Sequence, residues 1–270
     1  MKGICMNDIK AIEPLAGYVG GKRRLAKTIV NVINQIPHKR YVEPFLGMGG
    51  IFLRRNKIVV EEVINDINKD IINLFRVVQR HKNALIELCQ WQLSSRDEFH
   101  RLRTLPMESL TDIERAFCFL YLQKHAFAGK LDYNHINIFR SSFNIYLLEK
   151  KIRLLHKRLS KVFIECSPYE EFILRQDKAN TLHYLDPPYL GTERYYGNKF
   201  SKDDFYKLAD MLKNIKGSFI LSINNTNETR NIFKDFHHHI VPIKYSCNAR
   251  STKINEELIV SNHAFNFLKL

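Results

Sequence analysis

The sequence predicts an α/β protein: a mostly parallel Rossmann-like sheet with an antiparallel hairpin at its edge and a helical segment inserted between two of its strands. Three observations carry this. Short apolar runs ending in glycine, asparagine or aspartate recur in both halves of the chain. From Lys69 towards Lys161 the pattern is helical, with little strand signal. The last two strand-like runs have no helix between them, so they should pair as an antiparallel ribbon.

The first element is a glycine-rich turn, Gly17-Tyr18-Val19-Gly20-Gly21-Lys22-Arg23, running into a helical stripe of Leu25, Ile29, Val32, Ile33 and Ile36. It is not a phosphate-binding P-loop, which needs Gly where Ala16 stands and Ser or Thr where Arg23 stands. What remains is a helix start with backbone N–H groups and Lys22 available to a ligand. A strand over Tyr41 to Phe45 leads into a loop with Gly47, Gly49 and Gly50, then a short apolar helix start at Ile51 to Leu53. A second strand, Val63 to Asn65, ends in Asp66. Strand, glycine loop, helix, strand and terminal acid is an arrangement that binds an adenosyl group in open α/β sheets, the acid taking ribose hydroxyls. The Gly-x-Gly-Gly spacing does not favour a nicotinamide cofactor, and plain packing of strand on helix also uses such loops.

Ile71, Ile72, Phe75 and Val78 then repeat at helical spacing. The helical stretch carries Arg96, Arg101, Arg103, Lys124, His125, Lys130, Arg140, Arg153, Lys157 and Arg158, and between its helices lies the loop Phe127 to Asn134. Basic and aromatic residues interleaved in this way suit phosphate contacts and base stacking, with Lys124, Phe127, Gly129, Lys130 and Arg140 as the candidates. A solvated helical face is the plainer reading. Strands resume at Val162 to Cys166 and at Thr181 to Leu185. Ser201 and Asp204 form a capping-box signal before Phe205, Leu208, Leu212 and Ile215, and Gly217 is expected to end that helix. A strand over Phe219 to Ile223 follows, and the hairpin runs near Ile240 to Tyr245 and Glu257 to Ser261.

The apolar run ending at Leu185 opens onto Asp186-Pro187-Pro188-Tyr189. An exocyclic amine on a nucleobase is a poor nucleophile because its lone pair is delocalised into the ring. Asp186 can accept one N–H and the Pro187 carbonyl the other, which favours a tetrahedral nitrogen. Prolines fix φ and remove a donor, so their carbonyls point in a set direction. Tyr189 offers a face for stacking, worth about 1–3 kcal/mol per base.

Composition agrees with a polyanionic partner. The 270 residues hold 42 Lys+Arg against 28 Asp+Glu, a formal charge of +14, and nucleic acid is the leading candidate. No apolar run approaches membrane-spanning length and no signal-peptide pattern is present, so no membrane partner is expected and the chain reads as cytoplasmic. The five cysteines stand singly, which indicates neither a zinc site nor a disulfide framework. His237, His238 and His239 are successive, so their side chains diverge, and no metal site is expected.

Four blocks, Tyr18-Val19-Gly20-Gly21-Lys22, Glu43-Pro44-Phe45-Leu46-Gly47-Met48-Gly49-Gly50, Asn65-Asp66-Ile67-Asn68 and Asp186-Pro187-Pro188-Tyr189, resemble the Dam-like group of adenine-specific DNA methyltransferases, in that group's order. The resemblance spans nearly the whole chain. It implies a catalytic methyltransferase domain over residues 8–69 and 161–270 and an inserted target-recognition domain over 70–160. It implies S-adenosylmethionine as cofactor, with Phe45, Gly47 and Gly49 close to it, Asp66 on its ribose, Tyr18 and Lys22 near its methionine end, and Asp186 also bordering it. It implies a target adenine flipped from DNA, its amine held by Asp186 and its ring stacked on Tyr189, with Pro187 and Pro188 shaping the catalytic loop. Arg250 and Lys253, near the terminal hairpin, would touch DNA. A cognate restriction endonuclease is a partner the resemblance allows. Tyr18 stands where many relatives have tryptophan, and Ala126 to Lys130 only partly match the recognition loop of the sequence-specific enzymes, so no GATC specificity follows. An RNA or protein-amide N-methyltransferase would share the Asp-Pro-Pro-Tyr logic, and a non-catalytic DNA-binding relative is the alternative of a different class.

Overall fold

The computed structural model describes residues 7–92, 94–126, 143–191, 200–243 and 255–265. In chain order the elements are β1 (Asn7–Asp8), α1 (Ala26–Gln35), β2 (Arg40–Glu43), β3 (Lys57–Ile58), β4 (Glu61–Asn65), α2 (Lys69–Gln90), α3 (Arg96–Arg103), α4 (Asp112–His125) and α5 (Ile145–Leu159). They continue with β5 (Val162–Glu165), α6 (Tyr169–Gln176), β6 (Thr181–Leu185), α7 (Lys202–Lys213), β7 (Ser218–Asn224), α8 (Asn227–Ile232), β8 (His237–Ile243) and β9 (Asn255–Ser261). Strands β1 and β3 make a small antiparallel pair. The main sheet has seven strands in the order β5-β4-β2-β6-β7-β9-β8. All neighbours up to β7 are parallel, and β9 is antiparallel to both β7 and β8. This is the mostly parallel, Rossmann-like sheet with an antiparallel edge hairpin that the sequence predicts.

Alternation along each strand divides the core in two. Tyr41, Tyr184, Ile220 and Ile259 face the layer of α1, α2, α4 and α5, while Leu185, Phe219, Leu221, Leu258 and Val260 face α7 and α8. Val42 and Val63 pack on Phe172 of α6. Both faces of the central strands β6 and β7 are covered, so these strands are buried almost throughout rather than alternating between core and solvent. The stripe read for α1 is buried from Leu25 to Ile36, and so are Ile71, Ile72, Phe75 and Val78 of α2. Asn68 starts α2 by accepting the N–H groups of Asp70 and Ile71.

Two details differ from the expectation. Strand β8 begins at His237, three residues before the run at Ile240, because the histidines extend the pairing with β9. The hairpin itself lies at the sheet edge as expected, with β9 on β7 and β8 outermost. Helix α7 ends at Lys213 with Asn214 as its cap, and Gly217 serves another purpose: a Cβ there would lie 2.5 Å from the Thr181 carbonyl. The Ser201–Asp204 box is present, the Asp204 carboxylate accepting both Ser201 N–H and Oγ–H at 2.7 Å. Helix α6, between β5 and β6, has no counterpart in the sequence reading.

Candidate active site

Strand order reverses between β2 and β6, whose parallel neighbours lead away in opposite directions, and in open α/β sheets ligands bind outside the carboxyl ends of strands at such a point. A cavity of about 1050 Å³ opens there. Its lining includes Tyr18, Lys22, Phe45, Gly47, Asp66, Asp186, Pro187, Pro188 and Tyr189, so all four sequence blocks converge on one space.

The loop after β2 forms one wall. Gly47 and Gly49 adopt positive φ (51° and 73°), where glycine carries no Cβ penalty. A Cβ on Gly47 would approach the Tyr18 ring to 3.1 Å. Asp66 fastens this loop: its Oδ2 accepts the Gly47 N–H and its Oδ1 the Asn68 N–H, both at 2.8 Å. Asn65, buried at the end of β4, donates to the carbonyls of Pro44 and Ser167 and accepts the Ser167 N–H, tying together the chain just beyond β2 and β5. Phe45 packs with Tyr169 and Phe200 in an aromatic group at the cavity wall.

Asp186 follows β6 directly, and the loop behind it is clamped from β7. Asn224 accepts the Leu190 N–H and donates to the Leu190 carbonyl, each at 3.1 Å. The central group is Lys22, whose side chain is 2% exposed. Its Nζ lies 2.8 Å from Asp186 Oδ1, 2.8 Å from Glu257 Oε1 and 2.9 Å from the Tyr189 hydroxyl. Two carboxylates and a hydroxyl thus surround the ammonium, the hydroxyl as its hydrogen-bond acceptor. Tyr189 in turn donates to Glu257 Oε2 at 2.6 Å. Burial works against the charge on Lys22, but Asp186 and Glu257 outweigh it and hold the ammonium well above the usual lysine range. Burial pushes the Asp186 carboxyl up to about 6, against the pull of Lys22. Glu43, at the end of β2, is buried with its Oε2 accepting the Tyr41 hydroxyl at 2.9 Å. Burial, reinforced by the nearby Asp186 charge, holds Glu43 well above the carboxylate range despite that hydrogen bond.

Lys22, expected near the methionine end of the cofactor, lines the cavity with its ammonium engaged by Asp186 and Glu257. Glu257 and Glu43 were missed as site residues. The available signal for Glu257 was a carboxylate opening an apolar strand, where it needs a buried cation. Lys124, read as a DNA contact, lines the cavity near Lys151, and burial followed by the Lys151 charge lowers its pKa. Two other members of the basic stretch are structural: His125 is buried with Nδ1 2.9 Å from the Tyr121 carbonyl, and Arg158 is buried against Glu62. Arg101 and Arg153 pair with Glu98 and Glu149 on solvated helical faces. Phe127, Gly129, Lys130, Arg140, Arg250 and Lys253 lie outside the described residues. Among the described residues, no helix is long and apolar enough to cross a membrane.

Comparison with known proteins points the same way as the geometry. The family described as D12 class N6 adenine-specific DNA methyltransferase matches residues 18–247. A DNA adenine methylase of Haemophilus influenzae is 31% identical over 243 residues, 82% of each chain. A retron Ec67 DNA adenine methylase of Escherichia coli is 29% identical over 83% of each chain. A Type II methyltransferase, M1.LlaDCHI, of Lactococcus lactis subsp. cremoris is 25% identical and covers 93% of this chain and 96% of its own.

Proposed function

The chain belongs to the D12 class N6 adenine-specific DNA methyltransferases, enzymes that methylate adenine in DNA, and from that premise we propose which residues carry the reaction and what they hold. The cofactor is S-adenosylmethionine. The residues present fit it: the volume at the switch point suits a nucleoside cofactor beside a flipped base, and the positive-φ Gly47 leaves room where a Cβ would fill the cradle. Phe45, Gly47, Asp66 and Tyr18 line the cavity and would hold it, whereas Gly49, expected beside them, turns towards Leu53 and Phe75 in the core and shapes the loop from beneath. When bound, it supplies a methyl group already activated by sulfonium charge.

Asp186 and the Pro187 carbonyl hold the two hydrogens of the adenine amine, and Tyr189 gives the stacking face. Lys22 fixes Asp186 Oδ1 and so orients the acceptor lone pairs that remain. Because these groups are aligned before the substrate arrives, little reorganisation is needed during transfer. The carrying observation is the position of Asp186: at the end of β6, ion-paired from below by Lys22, and lining the same cavity as Gly47 and Asp66.

Target recognition falls to the stretch inserted between β4 and β5, residues 70–160, whose helices α2, α4 and α5 also cover one face of the sheet, with Lys124 directed to DNA phosphate. The Lactococcus relative's designation as a Type II methyltransferase supports a restriction endonuclease as a companion. A cytoplasmic location follows from a DNA substrate. The test is a pair of variants: Asp66→Ala should weaken S-adenosylmethionine binding about tenfold or more, while Asp186→Ala leaves it within a few-fold. Equal cofactor loss in both would overturn the division of roles.

A further inference from the structure

Antiparallel β9 looks like a decoration on a parallel sheet until its direction is considered. A parallel strand at that position would bring only its C-terminal end to the cavity side. Because β9 runs the other way, its beginning reaches that rim, and Glu257 is set opposite Asn224, the residue that clamps the catalytic loop. Residues 257, 259 and 261 share one face of β9, the face towards α1, and Lys22 stands just before that helix. Glu257 is 1% exposed, and such a carboxylate is tolerated only when paired. Its two oxygens divide the work: Oε1 faces Lys22 at 2.8 Å and Oε2 accepts Tyr189 at 2.6 Å.

We propose that Glu257 is a positioning residue for methyl transfer, holding the Lys22 ammonium and the Tyr189 ring in one frame so that the amine acceptor Asp186 and the stacking face are presented together. This rests on the reading of Asp186 as the amine acceptor. Two carboxylates share one ammonium here, so Lys22 orients Asp186 without fully neutralising it. An Asp186 facing Lys22 alone would be better compensated and a weaker acceptor for the amine. The groups facing Asp186 are Lys22 before α1, Glu43 on β2, Tyr184 on β6, Tyr189 on the loop, Ser222 on β7 and Glu257 on β9. Among these, the Glu257 charge raises the Asp186 pKa and the Lys22 charge lowers it.

The experiment compares Glu257→Gln and Glu257→Asp with wild type on unmethylated duplex DNA and S-adenosylmethionine, measuring kcat, KM for each substrate, cofactor Kd, thermal transition and the pH dependence of kcat. Glutamine can still accept the Tyr189 hydroxyl but carries no charge; aspartate keeps the charge on a shorter arm. Glu257→Gln should lower kcat about 10²-fold with cofactor Kd within about threefold, the size expected of a misplaced reacting group. Its acid limb should move to lower pH, because Asp186 loses a repulsive neighbour, whereas the limb of Glu257→Asp should stay at the wild-type position. Wild-type kcat and an unmoved limb in Glu257→Gln would overturn the proposal. So would a fall in kcat matched by loss of the fold and of cofactor binding in both variants. Asp186→Ala is run alongside: an active Asp186→Ala removes the underlying reading, whereas an inactive one beside a wild-type-like Glu257→Gln removes only the role of Glu257.

Discussion

Two buried ionic clusters sit on the same side of the sheet and are built on opposite ratios. At the carboxyl ends of the strands, Lys22 is the one cation among the described residues that pairs with Asp186 and Glu257. Farther down, Glu62 on β4 alone serves Arg55 and Arg158, the latter at 2.5 and 3.0 Å. Each guanidinium is also covered by a ring, Arg55 lying 3.7 Å from the Tyr41 centroid and Arg158 3.9 Å from that of Phe52. The lower cluster is closed, with more cation than it needs and aromatic lids. The upper one opens on the cavity with two carboxylates around one described cation, and in the proposed reaction this is the charge that meets the substrate amine. Tyr41 touches both worlds, since its ring carries Arg55 and its hydroxyl donates to Glu43 beside Asp186.

The comparison breaks if the two clusters respond alike to the loss of their carboxylates. Asp186→Ala should lower kcat by on the order of 10³-fold with little change in thermal stability, because that charge is poorly compensated and its removal relieves the site. Glu62→Ala should do the reverse. Leaving two guanidiniums buried without a counter-charge costs about 3–5 kcal/mol, read as a shift of the urea midpoint, while kcat per folded molecule stays near wild type.

Acid sharpens the contrast further. His38, 1% exposed, lies beside Tyr41 and Arg55; burial, with the Arg55 charge assisting, lowers its pKa to about 4. A folded pKa below the unfolded value of about 6.5 means that stability present above that pH is lost as pH falls towards 4, by about 3 kcal/mol. Asp186 works in the other direction. Its folded pKa is raised, so its contribution favours the fold at low pH and is lost as pH rises through about 6. Urea titrations across this range should therefore show His38→Asn less acid-sensitive than wild type and Asp186→Ala more so. Identical pH curves for the two variants would contradict the assignment. The smallest effect belongs to Asn224→Ala, which removes two hydrogen bonds to Leu190 for about 1–2 kcal/mol of stability and should lower kcat several-fold.

The upper cluster was half legible in the sequence and the lower one not at all, for a physical reason. Asp186 to Tyr189, the glycine loop and Asp66 are contiguous blocks whose chemistry is written in neighbouring residues and in strand ends. Lys22 and Tyr189 are 167 residues apart, and nothing local in either says that they meet. Glu257 sits beside Glu256, which is exposed, so only the strand's facing distinguishes them, and that depends on β9 lying between β7 and β8. Periodicity reveals a strand but not its neighbours. Arg158 read as one more charge on a basic helix, because a guanidinium bound for the core and one bound for phosphate look the same in sequence. The fold class was legible because parallel strands covered on both faces leave continuous apolar runs, whereas α6 is short and partly polar and left no comparable mark.

In the proposed reaction the Lys22-held Asp186 carboxylate receives the adenine amine. This step is tested most directly by single-turnover methyl transfer from S-adenosylmethionine to unmethylated DNA by Asp186→Ala, with cofactor Kd measured on the same preparation. The expected result is a rate about 10³-fold below wild type, 6-methyladenine as the wild-type product, and a Kd within a few-fold. A near-normal rate, or a Kd lost together with the fold, would contradict it.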